Sequence, residues 1–253
     1  MIRVSIFLVL IGFAARPLRA QNNIFLSQGK IEFERRVNQY AQMESTRDPD
    51  DEGWAEFSKK LIGNKFKTDY FDLLFSRNKT LYSPGRESPD KPNQFFLQPP
   101  AQQNVIYADL DQQKSVSQKT VFEQVFLVAD TARRIKWKMT DETRVIAGFN
   151  CRRANAMIMD SIYVVAFYTD EILTTGGPES FSGLPGMILG VALPHEHITW
   201  FATKVEATPV NEGQVAVPVK GKKVTNSGLM EAIQKSLKEW GKQGRLYMQE
   251  VML

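Results

Sequence analysis

One cysteine, two histidines and no apolar run of bilayer length are the scarcities that bound this chain of 253 residues. With Cys151 alone no intramolecular disulfide can form, so the fold must rest on its apolar core. The lone thiol reads as a small buried group rather than a link to a second chain. His195 and His197 confine any imidazole chemistry to one short segment. A membrane-crossing helix needs about 20 apolar residues, and the runs at 4–15 and 187–193 fall short. There is no G-x-S-x-G elbow around Ser180 or Ser182, no phosphate loop at Gly221-Lys222-Lys223, and no H-E-x-x-H. No internal repeat is present. Enzymatic function has no local signature here.

The start of the chain reads as an export signal. Met1-Ile2-Arg3 is a short basic opening, residues 4–15 form an apolar core of signal-peptide length, and Ala20 is a fitting cleavage position. Arg16 and Arg19 after that core are atypical and leave cleavage after Ala15 open. A membrane anchor is the rival reading, opposed by the short core. Removing residues 1–20 takes Arg3, Arg16 and Arg19 from 32 basic side chains and leaves 29 against 28 acidic ones. The basic balance therefore owes much to the signal, and a nucleic-acid partner loses its support. The expectation is a periplasmic or extracellular protein, not integral to the membrane after cleavage.

What the chain has in quantity is β pattern. Ile31, Phe33, Arg35 and Val37 alternate with Lys30, Glu32, Glu34 and Arg36, as in a half-buried strand. Residues 44–52 are polar and acidic but lack the spacing and glycine turn of a calcium loop. A short helix is expected over 53–63, and a hairpin over 66–83 turning at Ser76-Arg77-Asn78-Lys79. Residues 84–102 carry five prolines and read as a loop, with Phe95-Phe96-Leu97 pinning it to the body or forming part of a rim. Strands follow at 105–110, 115–128 with a break, 134–139, 144–158 around Gly148, and 162–169. The last is apolar on both faces and should be central. Two more are expected at 187–193 and 196–206, then a linker over 213–223 and a helix over 225–240 capped by Asn226 or Ser227. The fold class is mainly β: a curved antiparallel sheet with two short peripheral helices. The domain reading is signal 1–20, sheet 21–210, and a linker and helix over 211–253 packed as an appendage.

The chain is organised around residues 176–191, which hold five of its 16 glycines and two of its 12 prolines. Leu184-Pro185-Gly186 suits a type II turn, whose third position needs positive φ. Gly183-Leu184-Pro185-Gly186-Met187-Ile188 resembles the hexapeptide of the GLPGLI family of Bacteroidetes exported proteins, with methionine in place of its leucine. Gly177-Pro178, Ala166-Phe167-Tyr168-Thr169-Asp170 and Trp200-Phe201-Ala202 fit the same pattern, and the similarity runs from about Gly29 to Glu206. The family has no agreed activity, so the resemblance implies export and a bowl or half-barrel. Gly177, Pro178, Gly183, Leu184, Pro185 and Gly186 are then a structural motif rather than catalytic residues.

Two functions from different classes follow. The first is a non-enzymatic binding or accessory protein offering a concave apolar face to a lipid, a peptide or an outer-membrane protein segment. The resemblance points to a partner with a carboxypeptidase-regulatory-like domain. The second is a transition-metal protein or metalloenzyme. On a strand, His195 and His197 would point to one face and hold zinc or copper with a third ligand, Asp160 or Asp170 being the first to check. Two solvent-facing histidines are the plainer account. A hydrolase with unidentified carboxylates is a weaker third. The first function expects no converging polar cluster on the concave face; the second expects one around the imidazoles.

Overall fold

The computed structural model describes residues 25–48, 50, 52–61, 65–90 and 100–253. The export segment, Gly63 and Phe95-Phe96-Leu97 lie outside the described residues. Twelve strands form one sheet: β1 (Gln28–Asn38), β2 (Phe66–Ser76), β3 (Lys79–Pro84), β4 (Val105–Asp109), β5 (Lys114–Val121), β6 (Gln124–Thr131), β7 (Lys138–Ile146), β8 (Phe149–Ile158), β9 (Ile162–Thr169), β10 (Met187–Leu193), β11 (Ile198–Glu206) and β12 (Lys222–Val224). Their order is β12-β6-β5-β4-β3-β2-β1-β11-β10-β9-β8-β7. Every pairing is antiparallel except that of β12 with β6.

The alternation in β1 sets the two faces. Ile31, Phe33, Arg35 and Val37 are buried, while Lys30, Glu32 and Glu34 are half-buried on the other side and Arg36 is exposed. Register places Arg35 between Asp69 on β2 and Trp200 on β11, and Phe33 between Phe71 and Ala202. One face is thus a continuous apolar core interrupted by a buried arginine. The other carries cross-strand pairs such as Lys30–Asp72 at 2.7 Å. β9 is buried on both faces, as its composition requires.

The tight hairpin between β7 and β8 turns on Ala147 and Gly148, both at positive φ (49° and 87°), the handedness that matches strand twist. Strand pairing begins at Lys138 rather than 134. Residues before it are drawn inward: Arg133 Nη2 donates to Met252 O and Trp137 Nε1 to Ser182 O. Leu184-Pro185-Gly186 forms a tighter turn than type II, because Gly186 N donates to Leu184 O at 2.7 Å and Met187 N instead reaches Ile172 O. Gly186 has φ of +133°, and a Cβ there would lie 2.0 Å from Thr169 O.

Among the described residues four α-helices accompany the sheet: α1 (Gln39–Thr46), α2 (Trp54–Leu61), α3 (Asn226–Leu237) and α4 (Gly241–Val251). Thr225, one residue before the expected caps, accepts from Gly228 N and starts α3. Leu229 and Ile233 pack on Val121, Phe126 and Val128 of β5 and β6. The C-terminal segment is no appendage: Glu250 is 3% exposed, and Leu253 belongs to the main core with Trp200 and Phe181. Its consecutive residues Glu250 and Val251 meet Arg35 of β1 and Lys119 of β5. Those strands are four places apart at about 4.8 Å each, so the sheet curls around the segment.

Candidate functional site

The buried polar groups of the inner face converge under α4. Arg35 is fully buried; its Nη2 donates to Glu250 Oε2 at 3.1 Å and its Nη1 lies 3.6 Å from Asp69 Oδ2. The guanidinium also sits over Trp200, 5.6 Å from the ring centroid. Glu250 Oε1 accepts from Gln42 Nε2 of α1 at 2.7 Å, and the same amide donates to Glu196 O at 2.8 Å. Burial pushes the Glu250 carboxyl upward, opposed by Arg35 and Gln42. Asp69 is shared with Lys67 at 3.1 Å.

The loop between β9 and β10 supplies a second group. Gly177 lets it pass where a Cβ would come within 2.8 Å of Phe181 O. Glu179 sits at a φ of 49°, a left-handed backbone uncommon outside glycine, and its side chain is 4% exposed. Its Oε2 accepts from Asn104 Nδ2 at 3.1 Å, while Oε1 has no partner among the described residues. Burial raises this carboxyl, against the pull of Lys119 and Arg35. The Arg35 Nε is likewise unpartnered among the described residues. Burial, with Glu179 adding to it, raises the Tyr82 phenol well above its usual range. Backbone strain and unpaired buried polar atoms in one place are marks of a functional site.

The third part is a cradle for residues 251–253. Lys119, 5% exposed on β5, donates from Nζ to Val251 O at 2.7 Å. Arg133 Nη2 donates to Met252 O at 2.5 Å, and Ser180 Oγ to the main-chain oxygen of Leu253. Burial brings the Lys119 ammonium down to about 8. A cavity of about 40 Å³ beside the segment is lined by Lys119, Arg133, Ser180, Met252 and Leu253, and one of about 20 Å³ borders Glu179. Each is large enough for water and too small for an organic ligand. The inner face is therefore neither open nor purely apolar, contrary to the expectation of a concave face without converging polar groups.

The histidines lie elsewhere. Residues 194–197 form the turn from β10 to β11, not a strand; His195 is exposed and His197 half-buried at a φ of 57°. His197 O accepts from Asn38 N at 2.9 Å, so the turn anchors the start of α1. Burial, then the nearby His195, lowers the His197 imidazole. Among the described residues no three His, Cys, Asp or Glu side chains gather as metal ligands. Asp170 instead faces Arg152 at 3.4 Å, and Cys151 is buried with its thiol pushed up to about 12. Gly177, Pro178, Gly183, Leu184, Pro185 and Gly186 lie in the loop between β9 and β10, where Phe181 N donates to Pro178 O at 3.1 Å and Gly183 N to Thr175 O at 3.1 Å. The period-two pattern of β1 gave the only sequence signal for the inner site: a charged residue, Arg35, in an apolar row.

Two crystal structures of PNGF-II share the fold. In the P21 form the TM-score is 0.51 at 14% identity, covering 78% of this chain and 32% of that one. In the C2 form it is 0.52 at 14% identity, covering 83% and 33%. This chain thus spans about a third of the length of PNGF-II, and the likeness is one of fold alone. No curated protein matches the sequence. Residues 156–190, from β8 through the glycine-rich loop into β10, match a family described as a protein of unknown function (Porph_ging).

Proposed function

We propose that this is an exported, non-enzymatic binding or accessory protein that takes an extended polypeptide segment on the inner face of its curled sheet. One observation carries the reading. The face already holds a polypeptide, residues 251–253, through three successive main-chain oxygens. Contacts of that kind read a backbone rather than a particular side chain, as in strand-addition recognition. Of the occupants expected from the sequence, a peptide or an outer-membrane protein segment suits this polar cradle better than a lipid. A partner with a carboxypeptidase-regulatory-like domain remains part of the proposal through the GLPGLI resemblance, as does release into the periplasm after Ala20.

The test is binding in trans. A mature chain carrying Leu253→Ala, which loosens the resident segment, is titrated with a synthetic peptide of residues 245–253. Saturable binding that is weaker in the unaltered chain is the expected result. No binding by a folded variant would remove the reading.

A further inference from the structure

The bend between α3 and α4 rests on one residue. Leu237, Lys238 and Trp240 all have right-handed helical backbone, and residues 238–240 form a single 3₁₀ turn. Gly241 breaks the path with φ 55° and ψ −126°, a region unfavourable to L-residues. A Cβ added there would meet no atom within 4 Å, so it is the backbone angle and not crowding that asks for glycine. With Gly241 in helical backbone, α3 and α4 would join as one helix over residues 226–251, ~39 Å long. The sequence suits that longer helix too. Leu229, Ile233, Leu237, Trp240, Tyr247 and Val251 are spaced by four, four, three, seven and four residues. At about 3.6 residues per turn they share one apolar stripe that passes the bend in phase. Two independent helices have no reason to keep a common phase across a break. In the bent form the stripe folds on itself: Leu229 and Ile233 share a cluster with Tyr247 and Val251, over β5 and β6. Straightening uncovers both halves, and a second straightened chain covers them again.

We propose that Gly241 is a hinge through which two copies of this chain exchange residues 242–253. The inference rests on the reading that the inner face takes this segment in trans, and it names the partner as a second copy. Side by side in opposite directions about a two-fold axis, the straightened helices set α3 of each copy beside α4 of the other. Glu250 then reaches the partner's Arg35, and residues 251–253 enter the partner's cradle. The contacts of the closed chain are thereby made again between chains. Exchange costs the opening of the hinge and the joining of two molecules, and no new interface has to be built.

Gly241→Ala in the mature chain tests the hinge. Alanine resists the bent backbone and favours the helix over glycine by about fivefold per chain. Sedimentation equilibrium should therefore show dimerisation at least about 25-fold tighter than in the unaltered chain. Exchange itself is read by a cross-link. Gln249 Nε2 donates to Ser161 Oγ at 3.2 Å on the surface. With Ser161→Cys/Gln249→Cys, a short bismaleimide joins a closed chain to itself and two exchanged chains to each other; buried Cys151 does not compete. The expected result is a covalent dimer on denaturing gels when Gly241→Ala is added to that pair. A dimer linked only within its chains, or no dimer, would overturn the exchange. If alanine prevents folding, the double-cysteine chain refolded from urea at high concentration is judged by the same band. Saturable binding of the 245–253 peptide without any exchanged dimer would leave the polypeptide reading standing. Absence of both would remove both.

Discussion

Arg35 is the residue on which the interior turns. Asp69 and Trp200 flank it across the sheet, and Glu250 closes it from α4. A buried pair adds little over an apolar pair of equal volume, yet removing one partner leaves an uncompensated charge. Arg35→Met should therefore cost about 3–5 kcal/mol in urea unfolding. The double variant Arg35→Met/Glu250→Leu should recover most of that, since Asp69 keeps Lys67. Additive losses would show that the two side chains do not act as a pair. Lys119 makes a second prediction at this scale. Its folded value near 8 lies below the ordinary lysine value of 10.5, so between those pH values the unfolded chain binds more protons. Stability contributed at this position then rises as pH goes from 8 to 10.5. Urea titrations at several pH values should show wild type gaining on Lys119→Met over that window; a flat or falling difference would contradict the burial of the ammonium.

Among the elements, the ones legible in sequence were those whose side chains follow a period. β1, the β2–β3 hairpin, β9, β10 and α2 came from alternation, turn residues and an apolar helix face. The turn at Pro185-Gly186 was legible as a fixed turn, and its tightness was not, because hydrogen-bond choice depends on Ile172 across the loop. Gly186→Val should cost about 2–4 kcal/mol in thermal unfolding, through a φ of +133° and a Cβ 2.0 Å from Thr169 O. Wild-type stability would mean the loop has room that the fold denies it. α1 was hidden because its mainly polar residues show no apolar stripe. α4 was hidden because Gly241 and Gly244 read as breakers, and an acid in the last turn runs against the helix dipole. Glu250 makes sense only with Arg35, which lies 215 residues away. The candidate site was unreadable for the same reason: its members come from β1, β2, β5, the β9–β10 loop and α4, and no local spacing links them.

For the molecule as a whole, the histidine pair gives a direct check on the alternative function. Zinc added to metal-free mature protein should be taken up equally and weakly by the wild type and by His195→Ala/His197→Ala. Stoichiometric uptake that the double variant loses would restore the metal reading, with imidazole binding fading as pH falls. The central proposal concerns the relation between the curled sheet and residues 251–253: that this core-packed segment can be displaced from the sheet while the sheet stays folded. Amide hydrogen exchange on the mature chain measures that relation. The account predicts that amides of α4 and the residues after it exchange through a sub-global opening, well before those of β1, β2 and β11. Exchange of all of them together, only on global unfolding, would make the segment a permanent part of the core and contradict the claim.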